Sequence, residues 1–486
     1  MEFALFDDLV LGKIADLLHS LDDLKNFRLV CTKWNKIGTP FFAKRVILWT
    51  STVTINEEID TFCNNLDVIL AKRLRARGLQ DNSWSMKILE KYHQHINFLE
   101  LYADTDCVDF VVKVLNCISL PELQTLTIVE IDNCGEILEN VEIFGVFPKL
   151  KRLEFKMWKR FHEERKYSPF HVVVQELINK CGGNLTELKL GDDFRLDLEG
   201  CKGSLKSLSA TVIPSNTEIL EDLDTDKIWP ESEINKMLEQ VKDSLVELEL
   251  NGIRSFFAGY TLDDFRPPEM KRLKILKIMA TEVVHSEEYL NQKYFPNLET
   301  ICIQGRKKGA HVNLFLYLAT SPMPTVKTVK LFGTKKLDLI SKVKQIFPNV
   351  KHFYLDTEKR KLDLPVLRRE KLFKLFGAFA TWGLESLEII MPCYYKMKDI
   401  LVAADRLPLD DVKRISLRLL PYSGDDKDSE GDGLGLPDEI CHTLMRTKGM
   451  EIFEITDISP LLQDIRVVRK FAEENSLPIK ILCGKE

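Results

Sequence analysis

The sequence has no Cys-x-x-Cys pair among its eleven cysteines, which removes the usual spacing for a structural zinc site. No apolar run nears the roughly 20 residues that cross a bilayer, so no membrane span is expected. The opening MEFALFDDLVL has no basic stretch ahead of its apolar residues and so lacks a signal-peptide layout. Without such a signal the cysteines are expected as reduced, buried thiols. Gly-x-Ser-x-Gly, His-Glu-x-x-His and the phosphate-loop ending Gly-Lys-Ser/Thr are all missing. Gly305-Arg306-Lys307-Lys308-Gly309 has glycines and cations but reads as a solvated turn. His93-Gln94-His95 has the wrong spacing for two ligands on one helix face. Catalysis, a metal and a cofactor are therefore not indicated. The net charge of −6 is modest and gives no reason to expect nucleic acid.

Leucine in a fixed pattern is what the chain has in abundance. The pattern L-x-x-L-x-L recurs most clearly from Leu150, Leu185, Leu245, Leu273 and Leu384. Weaker copies start at Ile96, Leu123, Leu205, Leu298, Val326, Val350, Val412 and Met450. Neighbouring starts such as 96, 123 and 150 lie 27 residues apart, a length at which one strand and one helix form a stacking unit. Wider gaps, as from 205 to 245, need insertions on the outer side. Leu120-Pro121, Phe147-Pro148, Phe295-Pro296 and Phe347-Pro348 punctuate the chain just ahead of the pattern. Between copies the period turns helical. Phe110, Val111, Val114, Leu115 and Ile118 share a face, as do Val173, Leu177 and Ile178. Leu337, Ile340, Val343 and Ile346 repeat this, and so do Leu372, Leu375, Phe376 and Phe379. The fold class expected is α/β, with a parallel concave sheet and outer helices in a horseshoe.

Residues 6 to 34 read differently. Leu9, Val10, Ile14, Leu17, Leu18 and Leu21 fall on one helix face, after Asp7 and Asp8 at its start. A second cycle runs through Leu24, Phe27, Val30, Cys31 and Trp34, with Asp22 or Asp23 as its N-cap. Two short helices so rich in apolar residues cannot bury all of them against each other. The surplus must face the rest of the chain or a partner.

Asp23-Leu24 followed by Val30-Cys31-Thr32-Lys33-Trp34 resembles the F-box. Together with the repeats, the chain resembles the leucine-rich-repeat F-box proteins over nearly its whole length. The resemblance implies an F-box over residues 1 to 45, a junction and capping segment over 46 to 95, and a leucine-rich-repeat solenoid with a C-terminal cap over 96 to 486. It implies a substrate adaptor for a Skp–cullin–F-box (SCF) ubiquitin ligase complex, acting in protein ubiquitination and degradation in the cytosol or nucleus. Leu9, Ile14, Leu17, Leu18, Leu24, Val30, Cys31 and Trp34 would then hold a Skp-type adaptor, and through it a cullin.

Within the junction, Val46 to Trp49 is expected to form a capping strand and Lys72 to Arg77 a solvated basic helix segment. Leu461 to Glu474 reads as a helix and Ile479 to Leu482 as a closing strand. Ser423 to Gly435 reads as an acidic, glycine-rich loop. With the leucines inward, the alternate strand positions face solvent. In the later repeats these are Lys277, Met279, Lys330, Phe332, His352, Tyr354, Glu388, Arg414 and Arg418; the earlier ones give Glu187, Glu247 and Glu249. Met, Phe, Tyr and Arg on one open face match the composition of a protein-binding hot spot, and the cations would suit an acidic or phosphorylated segment of a target protein. Two other classes stay open at this point: a free-standing binding scaffold outside any ligase, and a transferase with a pocket of convergent titratable groups.

Overall fold

The computed structural model describes residues 7 to 482 apart from 19, 51–65, 78–82, 104–107, 132–140, 158–167, 169, 192–195, 213–231, 253–266, 281–289, 306–320, 334–338, 358–368, 393–396, 408, 410, 421–436 and 457–461. The expectations placed on Phe6, Arg306 to Gly309, Leu337 and Ser423 to Gly435 lie outside those residues. The chain divides into two compact units, residues 1–211 and 212–486.

The first unit opens with three helices: α1 (Asp8–Leu17), α2 (Leu21–Leu29) and α3 (Thr32–Arg45). Asp7 caps α1 by accepting from the amides of Leu9 and Val10, as its position in the sequence suggests. The cap of α2 is Ser20, not Asp22 or Asp23; its Oγ accepts from both of their amides, leaving the two carboxylates in the first turn. The second helical cycle is also broken. Cys31 is fully extended at φ −163°, so Trp34 belongs to a third helix and not to the one carrying Leu24.

Leu11, Ala15, Leu24, Phe27 and Phe42 form the centre of this module, with Ile14, Leu18, Trp34 and Ile37 packed around it. Gly38 lets α3 approach α2, since a Cβ there would lie 2.8 Å from the Phe27 ring. Arg45 closes the far end of α1 by donating to the carbonyls of Leu18 and Asp16.

Strands follow in chain order: β1 (Leu48–Trp49), β2 (Arg73–Arg77), β3 (Phe98–Ala103), β4 (Thr125–Glu130), β5 (Arg152–Met157), β6 (Glu187–Leu190) and β7 (Ser207–Val212). Each pairs in parallel with the next. Helices α4 (Ser83–Tyr92), α5 (Val108–Cys117) and α6 (Phe170–Cys181) lie between them in sequence. Lys72 to Arg77 is a correction. It is strand β2, entered from a 3₁₀ turn, with Leu74 and Ala76 buried and the three arginines on the other side.

The second unit repeats the arrangement with β8 (Glu247–Gly252), β9 (Ile275–Ala280), β10 (Thr300–Gly305), β11 (Thr328–Phe332), β12 (His352–Asp356), β13 (Ser386–Pro392), β14 (Arg414–Leu420), β15 (Ile452–Thr456) and β16 (Ile479–Leu482). Every pair is parallel and sequential, as in a solenoid-like α/β stack. Its helices are α7 (Ser232–Val241), α8 (Leu339–Ile346), α9 (Arg369–Ala378), α10 (Met397–Ala404), α11 (Asp438–Arg446) and α12 (Leu462–Glu474). No helix among the described residues is long and apolar enough to cross a membrane.

Each copy of the leucine pattern places its strand two residues after its first position, as Leu150 precedes Arg152 and Leu273 precedes Ile275. The first leucine is buried beneath the turn, and the next two point inward from the strand: Leu273, Leu276 and Ile278 are one such set. Each such side chain is worth roughly 1.5–3 kcal/mol when fully buried, which makes this recurring triplet the main apolar contribution. The proline punctuation has a geometric cause. Leu123, Leu150, Leu298 and Val350 donate their amides to Leu120, Phe147, Phe295 and Phe347, closing four-residue turns with proline second. Proline's fixed φ suits that place.

Candidate functional site

Two surfaces of different chemistry stand out, one in each unit. On the helical module the exposure of α1 and α2 runs against the packing need. Leu9 is 85% exposed, Leu17 64%, Leu29 81% and Val30 59%. Cys31 is exposed beside them and carries a free thiol. These residues leave the helix faces opposite to Leu11, Ala15 and Leu24, so the sequence's surplus of apolar residues becomes surface.

The eight residues expected to hold an adaptor therefore separate. Leu9, Leu17, Val30 and Cys31 are exposed; Ile14, Leu18 and Trp34 are half-buried against the module's core. Leu24 has no exposed surface, because the α2 face that carries it is turned into the core with Phe27, and it cannot touch a partner. Leu29 is the residue the sequence reading missed. It lies between Phe27 and Val30, outside the apolar spacing used to find the second helix, on the side of α2 turned away from Leu24 and Phe27.

In the second unit the eight expected target-facing residues fall into three rows across the sheet. Lys277, Cys302, Lys330, Tyr354, Glu388 and Ser416 stand in register on β9 to β14. Met279 stands in a second row that continues through Phe332 to Arg418. His352 and Arg414 belong to the third, with Ser386 between them. Because strand residues alternate, all eight stand at positions of one face. Val329, Leu331, Phe353 and Leu355 alternate with them and are buried.

The electrostatics of this face differ from the basic patch the sequence suggests. Lys277 is held by Glu247 at 2.5 Å and Glu249 at 3.9 Å, and the hydrogen bond to Glu247 raises its pKa. Arg414 pairs with Glu451 at 2.7 Å. Two of the cations are thus engaged by their own chain. The middle of the face is aromatic and polar: the rings of Phe332 and Tyr354 lie 4.9 Å apart, and His352 Nδ1 is 2.8 Å from Ser386 Oγ. Burial, with smaller contributions from Asp356 and Glu388, pushes the Tyr354 phenol up. Lys330 is exposed and its ammonium has no ion-pair partner among the described residues.

The corresponding face of the first unit is closed by its own charges. Arg75–Glu100 (2.6 Å), Glu100–Lys156 (3.9 Å), Lys156–Glu154 (3.6 Å), Glu154–Arg152 (3.0 Å) and Arg152–Glu187 (3.4 Å) link β2 to β6. Lys189 joins Glu187 at 3.2 Å. Arg75 also lies over Trp49 and Tyr102. Such a network leaves little unmatched charge for a partner. Neither a comparison with models of known families nor one with curated proteins returns a match.

Proposed function

We propose that this chain is the substrate-recognition subunit of a Skp–cullin–F-box ubiquitin ligase, with the N-terminal helices as its F-box and the strand repeats as a leucine-rich-repeat horseshoe. The single observation that carries the reading is the exposed apolar set Leu9, Leu17, Leu29 and Val30 on a module that is otherwise well packed. A capped three-helix unit that spends leucines on its surface gains nothing from them unless a partner covers them. The resemblance of Val30-Cys31-Thr32-Lys33-Trp34 to the F-box names the partner as a Skp-type adaptor.

The target would be met by the open face of β11 to β13, where Phe332, Tyr354, His352 and Lys330 combine rigid aromatic area with donors. The mechanism is proximity and needs no catalytic group in this chain. Tethering a lysine-bearing target raises its effective concentration at the ligase's ubiquitin-charged enzyme. Co-expression of the full chain with a Skp-type adaptor tests the first half of this. A complex that survives purification, and is lost in Leu17→Asp/Leu29→Asp while that variant stays folded, supports it. A wild-type chain that is folded and never retains the adaptor refutes it.

A further inference from the structure

The second unit has a groove whose chemistry differs from that of its open face. Val246, Lys274, Glu299 and Lys327 each stand one residue ahead of β8, β9, β10 and β11. Their backbones continue the ladder: Lys274 N donates to Val246 O (2.9 Å), Glu299 N to Lys274 O (2.9 Å) and Lys327 N to Glu299 O (2.8 Å). Lys271 and Arg272 from the turn before β9, with Asn297 and Thr325 from the next two turns, complete a groove of about 500 Å³.

Its charge is opposite in sign to that of the chain, which carries −6 overall. Lys271, Arg272, Lys274 and Lys327 face a single lining carboxylate, Glu299. Lys274 holds that carboxylate at 2.8 Å, and with Lys327 keeps its pKa low. Lys271 is 4.0 Å from Glu269. The charged ends of Arg272 and Lys327 have no ion-pair partner among the described residues.

The groove is also held in shape. Asn297 Nδ2 donates to Lys271 O (2.8 Å) and Met270 N to Tyr294 O (2.8 Å), so the turn bearing two of the cations is pinned to the next repeat. Cations carried on a fixed turn lose less freedom on binding than cations on a loose loop.

We propose that this groove binds an extended acidic segment of a protein partner. Lys274 and Lys327 are two strand spacings apart, roughly 10 Å, which about three residues of extended chain cover. Glu299 between them disfavours a continuous phosphate backbone but can accept a peptide N–H. An extended acidic chain, even one of glutamates throughout, turns a carboxylate toward the groove only at every second residue and so satisfies both signs. This site stands independently of the adaptor and open-face readings.

The test is fluorescence anisotropy of a labelled octaglutamate peptide titrated with the full chain. Binding should weaken at least about tenfold in Arg272→Glu/Lys327→Glu, weaken in the wild type as salt rises, and stay unchanged in Lys448→Glu, on the exposed turn before β15. All three side chains are exposed, so the variants should fold; thermal unfolding by circular dichroism checks this. Three outcomes overturn the proposal: no octaglutamate binding, binding equal in wild type and double variant, or tighter binding of a uridine octanucleotide than of the peptide.

Discussion

The Trp34 indole lies 4.5 Å, centroid to centroid, from the Phe27 ring, and this contact ties α3 to α2. Trp34 is therefore a packing residue of the helical module first, and any partner meets only the part left exposed. Trp34→Ala should cost about 2 kcal/mol, below the full value for a buried tryptophan because the ring is half-exposed. Hydrogen exchange of the α2 and α3 amides would show the loss. Leu17→Asp, on exposed surface, should leave the same amides unchanged.

Cysteine chemistry separates surface from core. Burial pushes the Cys181 thiol up to about 11 and that of Cys201 to about 12, which leaves almost no thiolate at neutral pH. Cys31 is exposed among the apolar residues of the module. A thiol-alkylating reagent at neutral pH should label Cys31 well before Cys181 or Cys201, as read by mass spectrometry of the intact, folded chain. Saturating Skp-type adaptor should then protect Cys31. Labelling at an undiminished rate in a formed complex would place the interface elsewhere.

Glu100 is 4% exposed and depends on Arg75 at 2.6 Å. Removing the guanidinium leaves a buried carboxylate whose remaining salt-bridge partner among the described residues is Lys156, 3.9 Å away. Arg75→Ala should cost about 3 kcal/mol, seen as a lower urea midpoint. Arg75→Met/Glu100→Leu should recover most of that, because the cost lies in the orphaned charge rather than in the lost pair.

Tyr354 gives the stability a pH dependence. Its phenol is raised, mainly by burial and then by Asp356 and Glu388, so the folded state holds the proton more tightly than the unfolded chain. The stabilisation is complete below the unfolded value of about 10 and is lost as pH rises through the higher folded value. Urea midpoints of the wild type should fall faster than those of Tyr354→Phe across that alkaline range. Parallel curves would show that the phenol does not contribute.

Much of this fold was legible because its signal is periodic. The buried triplet Leu273, Leu276 and Ile278 needs one spacing and one burial rule, and the same rule places β3 to β15. Where the reading failed, local chemistry outweighed composition. Arg73, Arg75 and Arg77 look helical and solvated by residue type, yet their alternation with Leu74 and Ala76 is the period of a strand. Ser20 took the cap from two aspartates because it stands two residues ahead of Asp22 and three ahead of Asp23, where its Oγ reaches both amides.

Asparagines standing ahead of the strands tie one repeat to the one before it. Asn184, Asn297 and Asn349 donate to the carbonyls of Pro148, Lys271 and Pro324 in the preceding repeat. The rows of open-face residues were legible from alternation alone. Their charges were not, since Glu247 and Glu451 neutralise Lys277 and Arg414 from neighbouring repeats that no linear pattern links.

The central claim is that the exposed leucines of α1 and α2 are an adaptor-binding face. Calorimetric titration of a purified Skp-type adaptor into the full chain tests it most directly, with Leu17→Asp/Leu29→Asp alongside. The account predicts one-to-one binding with a negative heat-capacity change from apolar burial, weakened at least about a hundredfold in the folded variant. No heat of binding from a folded wild-type chain, or equal affinity in the variant, would contradict it.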